Sequence, residues 1–178
     1  MTRSDRNSRI LDAATLLFLQ NGLRGTTMEA VAKAAGVAKP TLYSRYPDKE
    51  ALFRAVGAQV IAGFRAEFTA ALQRPGSATE RIAGAVSAKY DALNRLLGNS
   101  PYADEIMADH MRLNAEDFTA LHGWVNSEVA RMLAEDGRTN AAELARVTMA
   151  AIDGVKAEFP ALADFTRLVP FVVGRLLA

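Results

Sequence analysis

The sequence has 178 residues, of which half are hydrophobic and 23% are charged, and it contains no Cys. This composition is typical of a globular protein, and the absence of Cys excludes disulfides, thiolate metal sites and cysteine nucleophiles. The net charge of +1 is unevenly distributed, because residues 1–53 hold eight Lys or Arg against five Asp or Glu, and this excess favours a polyanionic partner for that segment.

Apolar residues recur every three or four positions along the whole chain, which predicts an all-α fold of about nine helices. The first helix is predicted over 5–21, with Gly22 as its left-handed stop. A short helix over 27–34 follows, capped by Thr26 and with Glu29 reaching back to the cap, and Gly36 ends it. A second short helix is predicted over 39–45, and Asp48 caps a long fourth helix that extends to residue 73.

The remaining helices are predicted over 78–97, 102–113, 116–136, 140–157 and 161–177. The last two carry apolar residues at matching offsets, and this set is Leu144, Val147, Thr148, Ala151, Ile152 and Val155 against Phe165, Leu168, Val169, Val172, Val173 and Leu176. Two such stripes suit a four-helix bundle formed between two chains, with packing inside one chain as the plain alternative. Pro170 removes one hydrogen bond, so the last helix is expected to bend there.

Residues 26–46 have the spacing of a helix-turn-helix, in which the second short helix enters the major groove of DNA. Ala32, Val37 and Leu42 are expected to seal the angle between its two helices. Two short helices around a glycine turn also occur as ordinary scaffolding, so the spacing alone leaves both readings open.

The segment over 26–53 reads TTMEAVAKAAGVAKPTLYSRYPDKEALF. It resembles the DNA-binding domain of the tetracycline-repressor (TetR) family of transcriptional regulators almost position by position, and the resemblance extends over about residues 5–55. It implies a helix-turn-helix DNA-binding domain over 1–47 and a ligand-sensing and dimerisation domain over 48–178. Three positions depart from the family pattern: Ala38 replaces a small polar cap, Arg45 a frequent His, and Tyr46 the usual Phe.

The residues expected to contact DNA lie on the exposed side of the second short helix and at two neighbouring helix starts. Thr27 offers a hydroxyl and a backbone N–H to a phosphate, because Thr26 is expected to serve as the cap. Lys49 lies in the first turn of the fourth helix, where the helix dipole disfavours a cation unless a phosphate is nearby. The full set is Thr27, Lys39, Pro40, Thr41, Tyr43, Ser44, Arg45 and Lys49. The plain alternative for Lys39 and Arg45 is a solvated surface charge.

The resemblance further implies a regulator, most simply a repressor, that binds a palindromic operator as a homodimer through its C-terminal helices and is released by a small molecule. Candidate residues for the effector pocket are Phe64, Phe68, Tyr90, Leu93, Leu97, Tyr102, Met107, Met111, Phe118, His122 and Trp124. They are mostly apolar, which favours a hydrophobic or aromatic effector, although such stripes are usually plain core.

The sequence carries no motif of an enzyme, and His110, His122 and Asp109 form no recognisable metal spacing, so we expect neither catalysis nor a cofactor or metal. No apolar run is long enough to span a membrane and no signal peptide pattern is present, so a cytoplasmic location is expected. The alternative function is an all-helical ligand-binding or scaffold protein without specific DNA binding.

Overall fold

The computed structural model describes residues 3–158 and 162–177, and in this part of the chain it contains nine helices and no strand. The helices are α1 (Arg3–Gly25), α2 (Met28–Ala35), α3 (Lys39–Tyr43), α4 (Lys49–Leu72), α5 (Ala78–Leu97), α6 (Ala103–Leu113), α7 (Ala115–Glu135), α8 (Ala141–Glu158) and α9 (Leu162–Leu176). The prediction of an all-α fold with about nine helices is confirmed.

The helices pack as two compact units. The first unit combines Met1–Ala62 with Asn99–Phe118, and the second combines Gly63–Gly98 with Thr119–Ala178. The first unit therefore holds α6 in addition to the three N-terminal helices. The division of function at residue 47 stays a prediction, because packing alone does not assign function.

The core of the first unit is built from one face each of α1, α2, α3 and the start of α4. Ile10, Leu42 and Leu52 are completely buried there, and the rings of Phe18 and Phe53 meet edge to face with centroids 5.1 Å apart. Ala32 is buried and Val37 packs against the same cluster, so the predicted seal between the two short helices is confirmed. This core fixes the orientation of α3, which at five residues is too short to be stable alone.

Two helix ends differ from the sequence prediction. Helix α1 extends to Gly25 rather than ending at Asn21, because the backbone kinks at Gly22 (φ 69°, ψ 175°) and then resumes a helical turn. Helix α3 ends at Tyr43 rather than Arg45, and Ser44 is its C-cap. Elsewhere the bounds agree with the prediction within about two residues, and Asp48 caps α4 by accepting a hydrogen bond from the Ala51 N–H at 2.7 Å.

The predicted cap of α2 is wrong. Thr27, not Thr26, is the N-cap, and its hydroxyl oxygen accepts from the Ala30 N–H at 3.2 Å. The Thr26 hydroxyl is instead buried and donates to the carbonyls of Leu17 and Gly22 at 3.1 and 2.8 Å. With Thr27 as the cap, Glu29 stands one position too early to complete the reciprocal arrangement.

The second unit contains α5, α8 and α9 together with parts of α4 and α7. The rings of Tyr90 on α5 and Phe165 on α9 pack edge to face at 4.6 Å, and Ile152 of α8 is completely buried. The apolar residues of the last two helices divide between two faces, since Thr148, Val169 and Val173 are buried while Val147, Phe171 and Leu176 are exposed. No helix in the described part of the chain is long and apolar enough to cross a membrane.

Candidate nucleic-acid interface

The turn between α2 and α3 is set by Gly36. This residue adopts a left-handed conformation (φ 62°, ψ 41°), and its N–H closes α2 by donating to the carbonyls of Ala32 and Lys33. A Cβ at Gly36 would lie 2.5 Å from Arg9 Nη2, which itself donates to the Ala35 carbonyl at 2.6 Å. The left-handed backbone conformation therefore favours glycine here, whereas the Arg9 guanidinium is the end of a flexible side chain and can move aside.

One face of α3 is exposed while its opposite face anchors it. Leu42 is completely buried, whereas the adjacent Tyr43 is 42% exposed. Lys39, Pro40 and Ser44 are also exposed, and Thr41 is half-buried. The predicted set on this helix is thus brought together on one exposed surface, which we call the α3 face (Lys39, Pro40, Thr41, Tyr43 and Ser44).

An acidic side chain borders the α3 face. Glu29 of α2 lies with its carboxylate 3.5 Å from Lys39 Nζ, and both side chains are exposed. The pKa of Glu29 is lowered, first by a hydrogen bond from its own backbone N–H and then by the charge of Lys39, with a smaller contribution from the Tyr43 hydroxyl. Lys39 of the α3 face therefore lies within ion-pair distance of an acidic side chain of α2.

Thr27 and Lys49 have internal roles that the sequence analysis did not predict. The Thr27 oxygen is used as the cap of α2, but its O–H proton is left to donate. Lys49 Nζ donates to the carbonyls of Arg24 and Thr26 at 3.1 and 2.8 Å. Its place in the first turn of α4 is therefore explained by the α1 end that it binds, and an ammonium retains one N–H beyond these two bonds.

Arg45 is tied down rather than fully exposed. Its guanidinium donates to Asn7 Oδ1 at 3.0 Å, and the Tyr46 hydroxyl donates to the same oxygen at 2.9 Å. Burial raises the pKa of Tyr46, and its hydrogen bond to Asn7 partly offsets this rise. Tyr46 is half-buried as expected of a core-facing residue, but Arg45 is half-buried as well and belongs to the edge of the α3 face.

Asn7 and Arg9 were missed by the sequence analysis. Both lie on α1, and they hold the two ends of the helix-turn-helix: Asn7 binds the residues after α3, and Arg9 binds the last carbonyl of α2. Both contacts span more than 25 residues of sequence, so no local spacing pattern indicates them.

The candidate effector residues divide between the two units. Tyr102, Met107, Met111 and Phe118 belong to the first unit, where Met111 is exposed and the other three are half-buried. The second unit holds the rest, which are Phe64, Phe68, Tyr90, Leu93, Leu97, His122 and Trp124. Three of these are buried, namely Phe68, Tyr90 and Leu97.

Two contacts join candidate residues within the second unit. Phe68 and Trp124 pack edge to face at 5.5 Å, and the Arg65 guanidinium lies 5.2 Å from the Trp124 ring. Tyr90 and His122 both lie near Asp153, whose carboxylate helps to raise the pKa of Tyr90 and lies 4.0 Å from His122 Nδ1. The contact with Asp153 brings a charged carboxylate next to two residues that were predicted to line an apolar pocket.

An open cleft of about 400 Å³ also lies in the second unit, between α5 and α9. It is lined by Ser87, Asp91, Asn94, Thr166 and Arg167, none of which was predicted as an effector residue. Its lining residues are polar, so stripes of aromatic and methionine residues in the sequence do not indicate this cleft.

Comparison with known proteins identifies the N-terminal segment. The sequence model of the family described as "Bacterial regulatory proteins, tetR family" matches residues 10–56, the segment that holds the core of the first unit and the α3 face. The regulator RutR of Escherichia coli is 34% identical over 140 residues, which cover 70% of this chain and 64% of RutR. The repressor ComR of the same organism is 42% identical over 62 residues, which cover 35% of this chain and 30% of ComR.

The fold is shared over nearly the whole chain with a transcriptional regulator from Cytophaga hutchinsonii. The two structures align with a TM-score of 0.80 over 96% of each chain at 23% sequence identity. The chain spans 64% of the length of RutR, which is less than two thirds, and 96% of the Cytophaga protein. The sequence match and the shared fold agree, and the chain belongs to the tetR family of bacterial regulatory proteins.

Proposed function

We propose that this protein is a DNA-binding transcriptional regulator that grips operator DNA with the α3 face. The observation that carries the proposal is the contrast between Leu42, completely buried, and Tyr43, 42% exposed. The helix is held by Leu42 in the core and, just after its end, by the hydrogen bonds of Arg45 and Tyr46 to Asn7 of α1. A rigid short helix that presents Lys, Thr, Tyr and Ser side chains suits the major groove and its flanking phosphates.

The neighbouring residues support backbone clamping. Thr27 retains a hydroxyl proton and Lys49 an ammonium proton beyond their internal hydrogen bonds, and both lie at helix starts beside the α3 face. Arg45 supplies a further cation at the edge of the same surface. We assign phosphate contacts to these three residues and base contacts to the α3 face.

We further propose that the protein acts as a homodimer, with the second copy seated on α8 and α9. Val147 is 49% exposed, Phe171 63% and Leu176 37%, so both helices carry large apolar side chains on the surface of the single chain that a second copy would cover. Two half-sites one DNA turn apart require two copies of α3. Size-exclusion chromatography with light scattering should give a dimer for the natural protein and a monomer for Phe171→Glu. A natural protein that stays monomeric at all concentrations would remove this part of the proposal.

Repression relieved by a small effector is the regulatory mode that we propose. Two relatives, ComR of Escherichia coli and KstR2 of Rhodococcus jostii, are named as transcriptional repressors, whereas FasR of Mycolicibacterium smegmatis is named as an activator. The aromatic pairs of the second unit, Phe68 with Trp124 and Tyr90 with Phe165, supply apolar surface for a hydrophobic or aromatic effector. We propose no catalytic activity, and a cytoplasmic location follows from operator binding in a bacterium.

Fluorescence anisotropy with duplexes tiled across the DNA upstream of the protein's own gene tests the proposal. We expect tight binding to one palindromic segment and at least a 1000-fold weaker binding to a shuffled duplex, about the lower bound for specific regulators. Equal and weak binding to every duplex would instead favour the alternative of a helical ligand-binding or scaffold protein.

A further inference from the structure

A buried ammonium group stands in the second unit. Lys89 of α5 is only 8% exposed, and within the described residues its Nζ has no carboxylate within ion-pair distance and no hydrogen bond. Burying a cation without a partner is costly unless something offsets the charge. Burial lowers the pKa of Lys89 to about 8, so the group is still mostly charged at neutral pH.

A second cation lies on the same aromatic ring. Lys89 Nζ is 4.9 Å from the centre of the Tyr90 ring, and Lys156 Nζ of α8 is 5.3 Å from it. The face of a phenol attracts cations but does not neutralise them. Two ammonium groups are therefore held close together on one buried side chain.

Among the described residues, Asp153 is the only carboxylate that shifts the pKa of Lys89, Tyr90 or His122. Its carboxylate lies 4.0 Å from His122 Nδ1 and helps to raise the pKa of Tyr90, and 47% of its side chain is exposed. Burial lowers the pKa of His122, so its imidazole is neutral at pH 7. In the described part of the chain, two lysines against one aspartate give the cluster a net charge of +1.

We infer that this cluster binds the carboxylate of an organic-acid effector, with Lys89 as the main anchor and Lys156 as the second cation. The inference rests on the proposed function, since it names the chemical class of the molecule that the second unit senses. A carboxylate would supply the negative charge that balances the two ammonium groups and the one aspartate of the described cluster.

The test compares benzoate with chloride at equal ionic strength, using thermal unfolding of the natural protein and of three variants. Lys89→Met removes the anchor, Lys156→Met the second cation, and Arg74→Met removes an exposed positive charge from the same unit as a control. Because general salt effects act on all four proteins alike, the difference in benzoate response between them isolates the site.

We expect benzoate to raise the melting temperature of the natural protein and of Arg74→Met by about 2–4 °C once it exceeds its Kd about five-fold. The rise should vanish in Lys89→Met and shrink in Lys156→Met. Benzamide, which has the same ring without the charge, should have no effect on any of the four proteins. An equal benzoate response in the natural protein and Lys89→Met, or an equal response to benzamide, would overturn the inference.

Operator binding is measured on the same proteins, so the two proposals fail separately. Lys89→Met should bind the operator duplex with unchanged affinity in the absence of benzoate, because Lys89 lies outside the first unit. If no protein binds DNA while the benzoate response still depends on Lys89, the proposed function fails and the anion site stands. If DNA binding is intact and the benzoate response is the same with and without Lys89, the proposed carboxylate site is rejected while the proposed function stands.

Discussion

Replacing Gly57 by Ala should destabilise the protein although Ala is the better helix former. Gly57 lies in α4 and is buried where the end of α6 approaches it. A Cβ added there would lie 2.5 Å from Asn114 Nδ2 and 2.8 Å from His110 Cε1, both far inside van der Waals contact. Gly63 of the same helix is exposed, and a Cβ there would meet no atom of the described residues within 4 Å.

The magnitude follows from three contributions. Ala stabilises a helix interior by about 1 kcal/mol relative to Gly. At Gly57 this gain is opposed by overpacking, which costs about 1–3 kcal/mol. The neighbours cannot simply move away, because Asn114 is only 4% exposed and its Nδ2 lies 2.9 Å from His110 Nδ1. Breaking that hydrogen bond costs about 1 kcal/mol more, so the net change for Gly57→Ala is a loss of about 1–3 kcal/mol.

Urea and thermal unfolding of the two variants provide the assay. Gly63→Ala should gain about 1 kcal/mol and melt about 2–4 °C higher than the natural protein, whereas Gly57→Ala should melt lower by a similar or larger amount. If both variants gained stability equally, the close approach of Asn114 and His110 to α4 would be wrong.

Three further predictions concern single side chains. The free energy of unfolding of the natural protein relative to that of Lys89→Met should rise by about 2 kcal/mol between about pH 7 and pH 9.5, because the unfolded chain binds the Lys89 proton more tightly than the folded one. If urea titrations gave the same stability difference between the two proteins at both pH values, the lowered pKa of Lys89 would be contradicted. Glu29→Gln should tighten DNA binding by about two- to five-fold in anisotropy, because Lys39 is released from its carboxylate, and weaker binding would show that Glu29 itself helps recognition. Thr26→Val should lower the free energy of unfolding by about 1–3 kcal/mol, since two buried carbonyls lose their donor, and an unchanged urea midpoint would refute that role.

Helix number and order were predictable from the sequence because breakers punctuate it clearly. Pro75, Gly76 and Ser77 stand between α4 and α5, and Ser77 with Glu80 forms a reciprocal cap that fixes the start of α5. The α2–α3 turn was equally visible, since Gly36 is the residue that a left-handed turn needs. These features are local, and local spacing is what a sequence displays directly.

The roles of Thr26 and Thr27 were not predictable in the same way. Two adjacent threonines before a helix are both plausible caps, and only the packing of Thr26 against the end of α1 decides between them. Lys49 gives the same lesson, because its ammonium binds carbonyls about 25 residues earlier in the chain. Contacts between distant segments determine these roles, and the spacing of apolar residues along the sequence does not indicate such contacts.

The charged cluster around Lys89 lies outside what apolar patterns can reveal. Aromatic and apolar stripes predicted Tyr90 and His122 as effector residues but gave no indication of Lys89 and Asp153. A lysine in an amphipathic helix is expected on the solvent side, and only the observed 8% exposure of Lys89 shows that this one is buried.

The measurement that tests the central claim most directly is the salt dependence of operator binding for the natural protein, Tyr43→Ala and Leu16→Ala. Leu16 is 55% exposed on α1 and serves as a control of similar exposure away from the α3 face. The natural protein and Leu16→Ala should bind alike and lose about 1000-fold or more in affinity between about 50 and 200 mM salt. Tyr43→Ala should bind more weakly at every salt concentration with an unchanged melting temperature. Equal binding by Tyr43→Ala and Leu16→Ala would contradict the account, because the exposed face of α3 would then not be the surface that reads DNA.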